Sequence, residues 1–163
     1  MGRSDGNSAR VIESELIRRK VPYRFIGGIG LMQTAHVKDV LSVLRVIVNH
    51  RDDLSWMRYL TIWPGIGEVT AARLIQAMAG SSDTHSALER LAELRPGNSL
   101  LVPLSVAYEK IDAPVACIGN LIDMLDDIMS SRYDNWDKRL RDVKLLLRLA
   151  EKHDNVKDFL DTY

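Results

Sequence analysis

Apolar residues recur along most of this chain at steps of three and four, the signature of amphipathic helices. Val11, Ile12, Leu16 and Ile17 predict a first helix, capped by Asn7 or Ser8 and stopped by Pro22. Its last turn carries Arg18-Arg19-Lys20, where cations complement the carbonyl end of the helix dipole. Tyr23-Arg24-Phe25-Ile26 then alternates before Gly27-Gly28 and predicts a short strand and a turn. Val37, Val40, Leu41, Leu44 and Val48 share one face of a helix from about His36 to Asn49, widened by Val43, Val46 and Ile47. A short helix is expected over 54–60, capped by Asp52 or Asp53, then a Pro-Gly-Ile-Gly turn at 64–67 and a helix to about Ala79. Thr84 or Ser86 opens another, with Ser86 and Glu89 at capping-box spacing. Residues 99–113 read ambiguously. Ile118, Leu121, Ile122, Leu125, Ile128 and Met129 mark one further helix, and Trp136, Leu140, Val143, Leu147 and Ala150 the next. Asn155 caps a last piece, Val156 to Tyr163. The expectation is an all-α, bundle-like domain with one short strand near its start.

Composition narrows the function classes. With 22 basic and 22 acidic residues the net charge is zero, which excludes a globally basic surface or a polyanion-binding tail. Cys117 is the single cysteine, so neither an internal disulfide nor a cysteine-based zinc site is available. No apolar run approaches the roughly 20 residues of a membrane span, and the polar N-terminus lacks an apolar signal core. A cytoplasmic protein without membrane partners is expected.

Most candidate chemistry reads blandly. His36, His50, His85 and His153 are scattered without ligand spacing, and each fits a surface or cap residue. Asp123, Asp126 and Asp127 fit the solvated side of their helix better than a metal cluster. Trp56 and Trp136 fit the core, whereas Trp63, beside the glycine turn, is a candidate nucleic-acid contact. Gly27-Gly28-Ile29-Gly30 is not followed by the lysine of a P-loop, and no Gly-Lys pair occurs anywhere. Gly65-Ile66-Gly67 has Thr70 where a dinucleotide fingerprint needs a third glycine or alanine, and no βαβ pattern surrounds it.

The segment around it, Leu60 to Ile75, resembles a helix-hairpin-helix, spanning about 54–79. Hairpin glycines permit the turn, and the following helix points free N–H groups outward, where a DNA phosphate can accept them. Such contacts hold a duplex without reading its sequence. The candidate DNA-binding residues are Pro64, Gly65, Ile66, Gly67, Thr70 and Arg73, with Arg58 and Arg73 offsetting Glu68. A DNA glycosylase built on this hairpin is disfavoured, because Val69 and Ala87 stand where its lysine and aspartate would be. No catalytic, cofactor-binding or metal-binding residue is assigned.

The order of segments carries a wider resemblance. Arg10 to Leu16, Val21-Pro22-Tyr23 to Gly28, Val37-Lys38-Asp39-Val40-Leu41, Asn49 to Leu54 and Gly65-Ile66-Gly67 together resemble the C-terminal half of UvrD/Rep (superfamily 1) DNA helicases. The likeness covers roughly residues 5–80, and the rest agrees in being helical. It departs where Leu31, Met32, Thr34 and His36 replace a family Phe-Phe, Arg and Glu, and where Pro64 replaces an Arg. The resemblance implies residues 1–30 as an edge of the second RecA-like motor domain and 31–163 as the helical accessory (2B-like) subdomain. It implies a parent enzyme that hydrolyses ATP with Mg and unwinds DNA 3′→5′ in repair. This part, without Walker motifs, would have no ATPase and would bind no cofactor. Expected partners are double-stranded DNA at a fork and the other helicase domains. A helical protein-interaction or autoregulatory module without direct DNA contact is the alternative.

Overall fold

The computed structural model describes residues 27–163, with side chains from Gly30 onward. The expected strand at 23–26 and the first helix therefore lie outside the described residues. Among those described, every regular element is a helix: α1 (Gly27–Met32), α2 (Ala35–Val48), α3 (Asp53–Ile62), α4 (Glu68–Met78), α5 (Thr84–Leu94), α6 (Leu101–Glu109), α7 (Pro114–Arg132), α8 (Trp136–Ala150) and α9 (Val156–Thr162). The chain falls into two compact units, residues 1–38 with Tyr163 and residues 39–162.

In the first unit, Gly27 and Gly28 begin the helix α1 and do not form the expected turn. Leu31 and Met32 are buried, and this anchor outweighs the weak helix propensity of the glycines. The Thr34 hydroxyl donates to the Leu31 carbonyl and closes the end.

The second unit is built from successive helix pairs, each helix from α3 onward packing on the next. Residues 40–47 of α2 are buried almost all round, including Val40, Leu41, Val43, Leu44, Val46 and Ile47. That matches the widened apolar face of the sequence, and a helix apolar on most sides belongs inside. Asp52 caps α3, accepting from the Ser55 N–H at 3.1 Å. Asp83 caps α5, accepting from the Ser86 N–H at 2.8 Å, so the helix starts before the expected Ser86 capping box. Glu89 instead pairs with His85.

The ambiguous stretch contains α6. Pro103 obscured it, but a proline in the first turn removes only an N–H that has no intrahelical partner. Leu100, Leu104 and Ala107 then bury completely, and the Tyr59 hydroxyl of α3 donates to the Leu100 carbonyl at 2.5 Å. Cys117 of α7 is buried with its thiol directed at the Ala107 carbonyl, 3.8 Å away, and burial pushes its pKa up to about 12. Because the thiolate is the reactive form, iodoacetamide at pH 8 should leave the folded protein unmodified for hours. Denaturant should expose the thiol to labelling within minutes, as followed by mass spectrometry.

Candidate nucleic-acid interface

Helices α3 and α4 pack against each other and are joined by residues 63–67. The Ile66 N–H donates to the Trp63 carbonyl at 3.2 Å across a tight turn. Pro64 occupies its second position and Gly65, at φ +84°, its third. This is the geometry of a type II turn, in which the third residue must be glycine or nearly so. The Ile66 side chain is 6% exposed and pins the turn to the body. Its part is that of an anchor, and its side chain is unavailable to a ligand.

Gly67 is the N-cap of α4 at φ −89° and ψ −176°, extended backbone open to any residue. No side chain caps the helix, and a Cβ placed at Gly67 would meet nothing within 4 Å. The ladder begins with the Ala71 N–H bonding the Gly67 carbonyl, which leaves the N–H groups of Glu68, Val69 and Thr70 outside it. The first turn is thus an electropositive tip facing open space. Pro64, Gly65, Gly67 and Arg73 are exposed around it, and Thr70 is half-buried. Thr70 and Arg73, three residues apart, share a face of α4. The carboxylate of Glu68, also exposed, stabilises the helix start while opposing an anion.

Two expectations about neighbouring residues change. Trp63 turns its indole nitrogen inward, fully shielded from solvent. Its ring meets Tyr59 edge-on, centroids 6.1 Å apart, so the indole N–H is closed to a ligand. Tyr59 is wholly buried, and that burial raises its phenol far above the ordinary tyrosine value. Arg58 is not available to offset Glu68, because its guanidinium bonds Asp39 at 2.7 Å.

That bond belongs to a cluster the sequence reading missed. The Asp39 side chain is completely buried in α2, and its second oxygen accepts from Arg132 at 3.2 Å and from the Tyr133 hydroxyl at 2.5 Å. Tyr133 in turn stacks on Trp136, and Arg139 lies over its ring at 4.9 Å. The Trp136 indole donates to Asp126 at 2.8 Å, which makes Asp126 a structural acceptor where a solvated residue was expected. The signal for the cluster was an acid set between Val37 and Val40 in a run that buries almost everything.

Around this framework His50 meets the Ser81 carbonyl and His153 meets Asp158. Shallow hollows beside α4 are lined by Trp56, Ile75 and Met78 on one side and by Ser81, Ser86 and Glu89 on another; neither includes the turn residues 64–67. Among the described residues no helix is long and apolar enough to cross a membrane.

Residues 2–85, which contain the α3–α4 hairpin and Asp39, match the UvrD-like helicase C-terminal domain. The chain belongs to this family. A probable DNA helicase II homolog of Rickettsia felis is 21% identical to this UvrD-like domain over 171 residues, covering 96% of the chain and 26% of the relative. DNA helicase II of Escherichia coli is 33% identical over 111 residues, 56% of the chain and 15% of the relative. DNA helicase II of Haemophilus influenzae reaches 44% over 65 residues, 39% of the chain and 9% of the relative. The UvrD-like chain thus spans about a quarter or less of the length of these relatives. No solved structure matches it.

Proposed function

We propose that this chain is part of an ATP-dependent 3′→5′ DNA helicase of the UvrD/Rep type, acting in unwinding and repair. Residues 31–163 would form its helical accessory subdomain, and residues 1–30 the edge of the second motor domain. ATP and Mg would bind elsewhere in the parent enzyme, whose other domains would be partners of this part. The α3–α4 hairpin is read as a helix-hairpin-helix that holds the duplex ahead of a fork through backbone N–H groups, independently of sequence.

The observation that carries this reading is the uncapped start of α4. Gly67 adopts a conformation that does not require glycine, and among the described residues a Cβ there would meet no neighbour within 4 Å. The missing side chain leaves room for an outside group at the N–H groups of Glu68, Val69 and Thr70. A phosphate fits both the room and the sign of the dipole. Exposed Arg73 adds charge to the same tip. The relatives named DNA helicase II supply the class of ligand.

Fluorescence anisotropy of a labelled forked duplex, titrated with the chain at 50 and 200 mM salt, tests the reading. Expected is binding that weakens with salt and is lost when the hairpin is altered at Gly67. A folded chain that binds no duplex even at low salt would instead assign this part to docking within the parent enzyme.

A further inference from the structure

The α3–α4 hairpin is repeated later in the chain. Helix α3 opens on Asp52, whose carboxylate accepts from the Ser55 N–H, and leads into the turn Trp63-Pro64-Gly65-Ile66. Helix α5 opens on Asp83, whose carboxylate accepts from the Ser86 N–H, and leads into the turn Arg95-Pro96-Gly97-Asn98. In this second turn the Asn98 N–H donates to the Arg95 carbonyl at 3.2 Å, and Gly97 has φ +70°. Proline in second place and a left-handed glycine in third again make a type II turn. The likeness extends into the helix that follows. Val69 is the second residue of α4 and Val102 the second of α6, and they are 67% and 53% exposed. A single exposed valine is ordinary, but these two hold the same position in two matching hairpins.

The two turns are also neighbours in space. Tyr59 lies one helical turn before Trp63, and its hydroxyl donates to the carbonyl of Leu100, just beyond the second turn. Helices α4 and α5 pack together across a short connection, as antiparallel neighbours do, which returns the end of α5 to the start of α4. Pro96, Gly97 and Ser99 are exposed. Half-buried Arg95 takes part in no ion pair among the described residues, and no acid lies between Glu93 and Glu109. The start of α6 is not a second electropositive tip. The Leu101 and Val102 N–H groups bond the Asn98 and Ser99 carbonyls, and Pro103 has none to offer. The turn presents instead the Arg95 guanidinium, the Ser99 hydroxyl and the Gly97 and Ser99 N–H groups, none of which donates to a group among the described residues.

We propose that the two turns are two prongs of one duplex-binding surface. The proposal rests on the reading of the first hairpin given above and adds a partner to it. One strand is held at the start of α4, and the Arg95–Ser99 turn contacts the phosphate backbone of the other, with Val69 and Val102 against the sugars between them. Contacts to phosphate and sugar fix orientation without reading sequence. Because each prong takes its own strand, such a surface prefers a duplex to a single strand.

The decisive variant is Arg95→Gln/Ser99→Asp, which removes one cation and sets a carboxylate where the second phosphate would lie. Ser99→Asp alone changes only an exposed side chain and keeps the test valid if the double variant misfolds. A labelled duplex of about 20 base pairs, a length that spans roughly two helical turns, and one of its strands are titrated separately by anisotropy over a range of salt, with circular dichroism to verify the helices. Expected is a duplex affinity reduced at least tenfold in the double variant and at least threefold in Ser99→Asp. The slope of log affinity against log salt should be shallower by about 0.9 in the double variant, for the one cation lost. Single-strand binding should stay as it was, so that the preference for duplex disappears. If Gly67→Asp loses the duplex while both Ser99 variants keep it, the second prong is overturned and the first hairpin stands alone. A double variant that weakens duplex and single strand equally also overturns it, because the turn would then be a general anion contact. If the unaltered chain binds no duplex, both readings fall together.

Discussion

Changing Gly67 to aspartate is expected to separate folding from DNA binding. An aspartate at an N-cap with extended backbone accepts hydrogen bonds from the next turn, and it stabilises a helix by a few tenths of a kcal/mol relative to glycine. Gly67 has that backbone, and among the described residues a Cβ there meets no neighbour within 4 Å. The melting temperature of Gly67→Asp should therefore stay level or rise by a degree or two. The same carboxylate takes up the N–H groups proposed to hold a phosphate and places a like charge beside it. A like charge at roughly 5 Å near a protein surface costs about 1.5 kcal/mol or more, so duplex affinity should fall at least tenfold. Gly65 is a worse probe, because its φ of +84° strains any side chain and a lost turn would mimic a lost contact. A Gly67→Asp protein that binds duplex as well as the unaltered chain would remove the hairpin from the interface.

The largest stability effect is expected at Asp39. Its carboxylate is completely buried and takes hydrogen bonds from Arg58, Arg132 and Tyr133, which joins α2 to α3 and to the end of α7. Removing one partner of a fully buried ion pair costs about 3–5 kcal/mol. The two guanidinium groups here are 36% and 40% exposed and can turn partly to water, which lowers the figure. Asp39→Ala is accordingly expected to cost about 3 kcal/mol. At roughly 2–4 °C per kcal/mol for a chain of this size, the melting temperature falls by roughly 6–12 °C. Arg58→Ala should cost less than half as much, because Asp39 keeps Arg132 and Tyr133. The cluster also has an alkaline limit. Burial and the bond to Asp39 raise the Tyr133 pKa above its ordinary 10.0, since a phenolate would face a carboxylate. Its contribution is complete below pH 10 and is lost as the pH rises through the higher folded value. Thermal unfolding by circular dichroism at pH 7 and above pH 10 measures both effects. An Asp39→Ala protein that melts within 2 °C of the unaltered chain would show that the carboxylate does not hold these helices together.

The periodicity of apolar residues determined where most helices lie. The expected helix from His36 to Asn49 is observed as Ala35–Val48, and the expected cap at Asp52 or Asp53 is Asp52. Local chemistry also placed the turn at 64–67, since proline followed by glycine suits few other backbones. Ordered landmarks over the first half sufficed to identify the family. What the sequence alone left undecided depends on neighbours remote along the chain. The helix Leu101–Glu109 needs Tyr59 and the surrounding core to claim an apolar stretch with no periodicity of its own. Arg58 and Trp63, both near the hairpin in sequence, are drawn inward by Asp39 and Tyr59. Spacing locates a side chain on a helix, but only packing decides whether its charge is spent inside the fold.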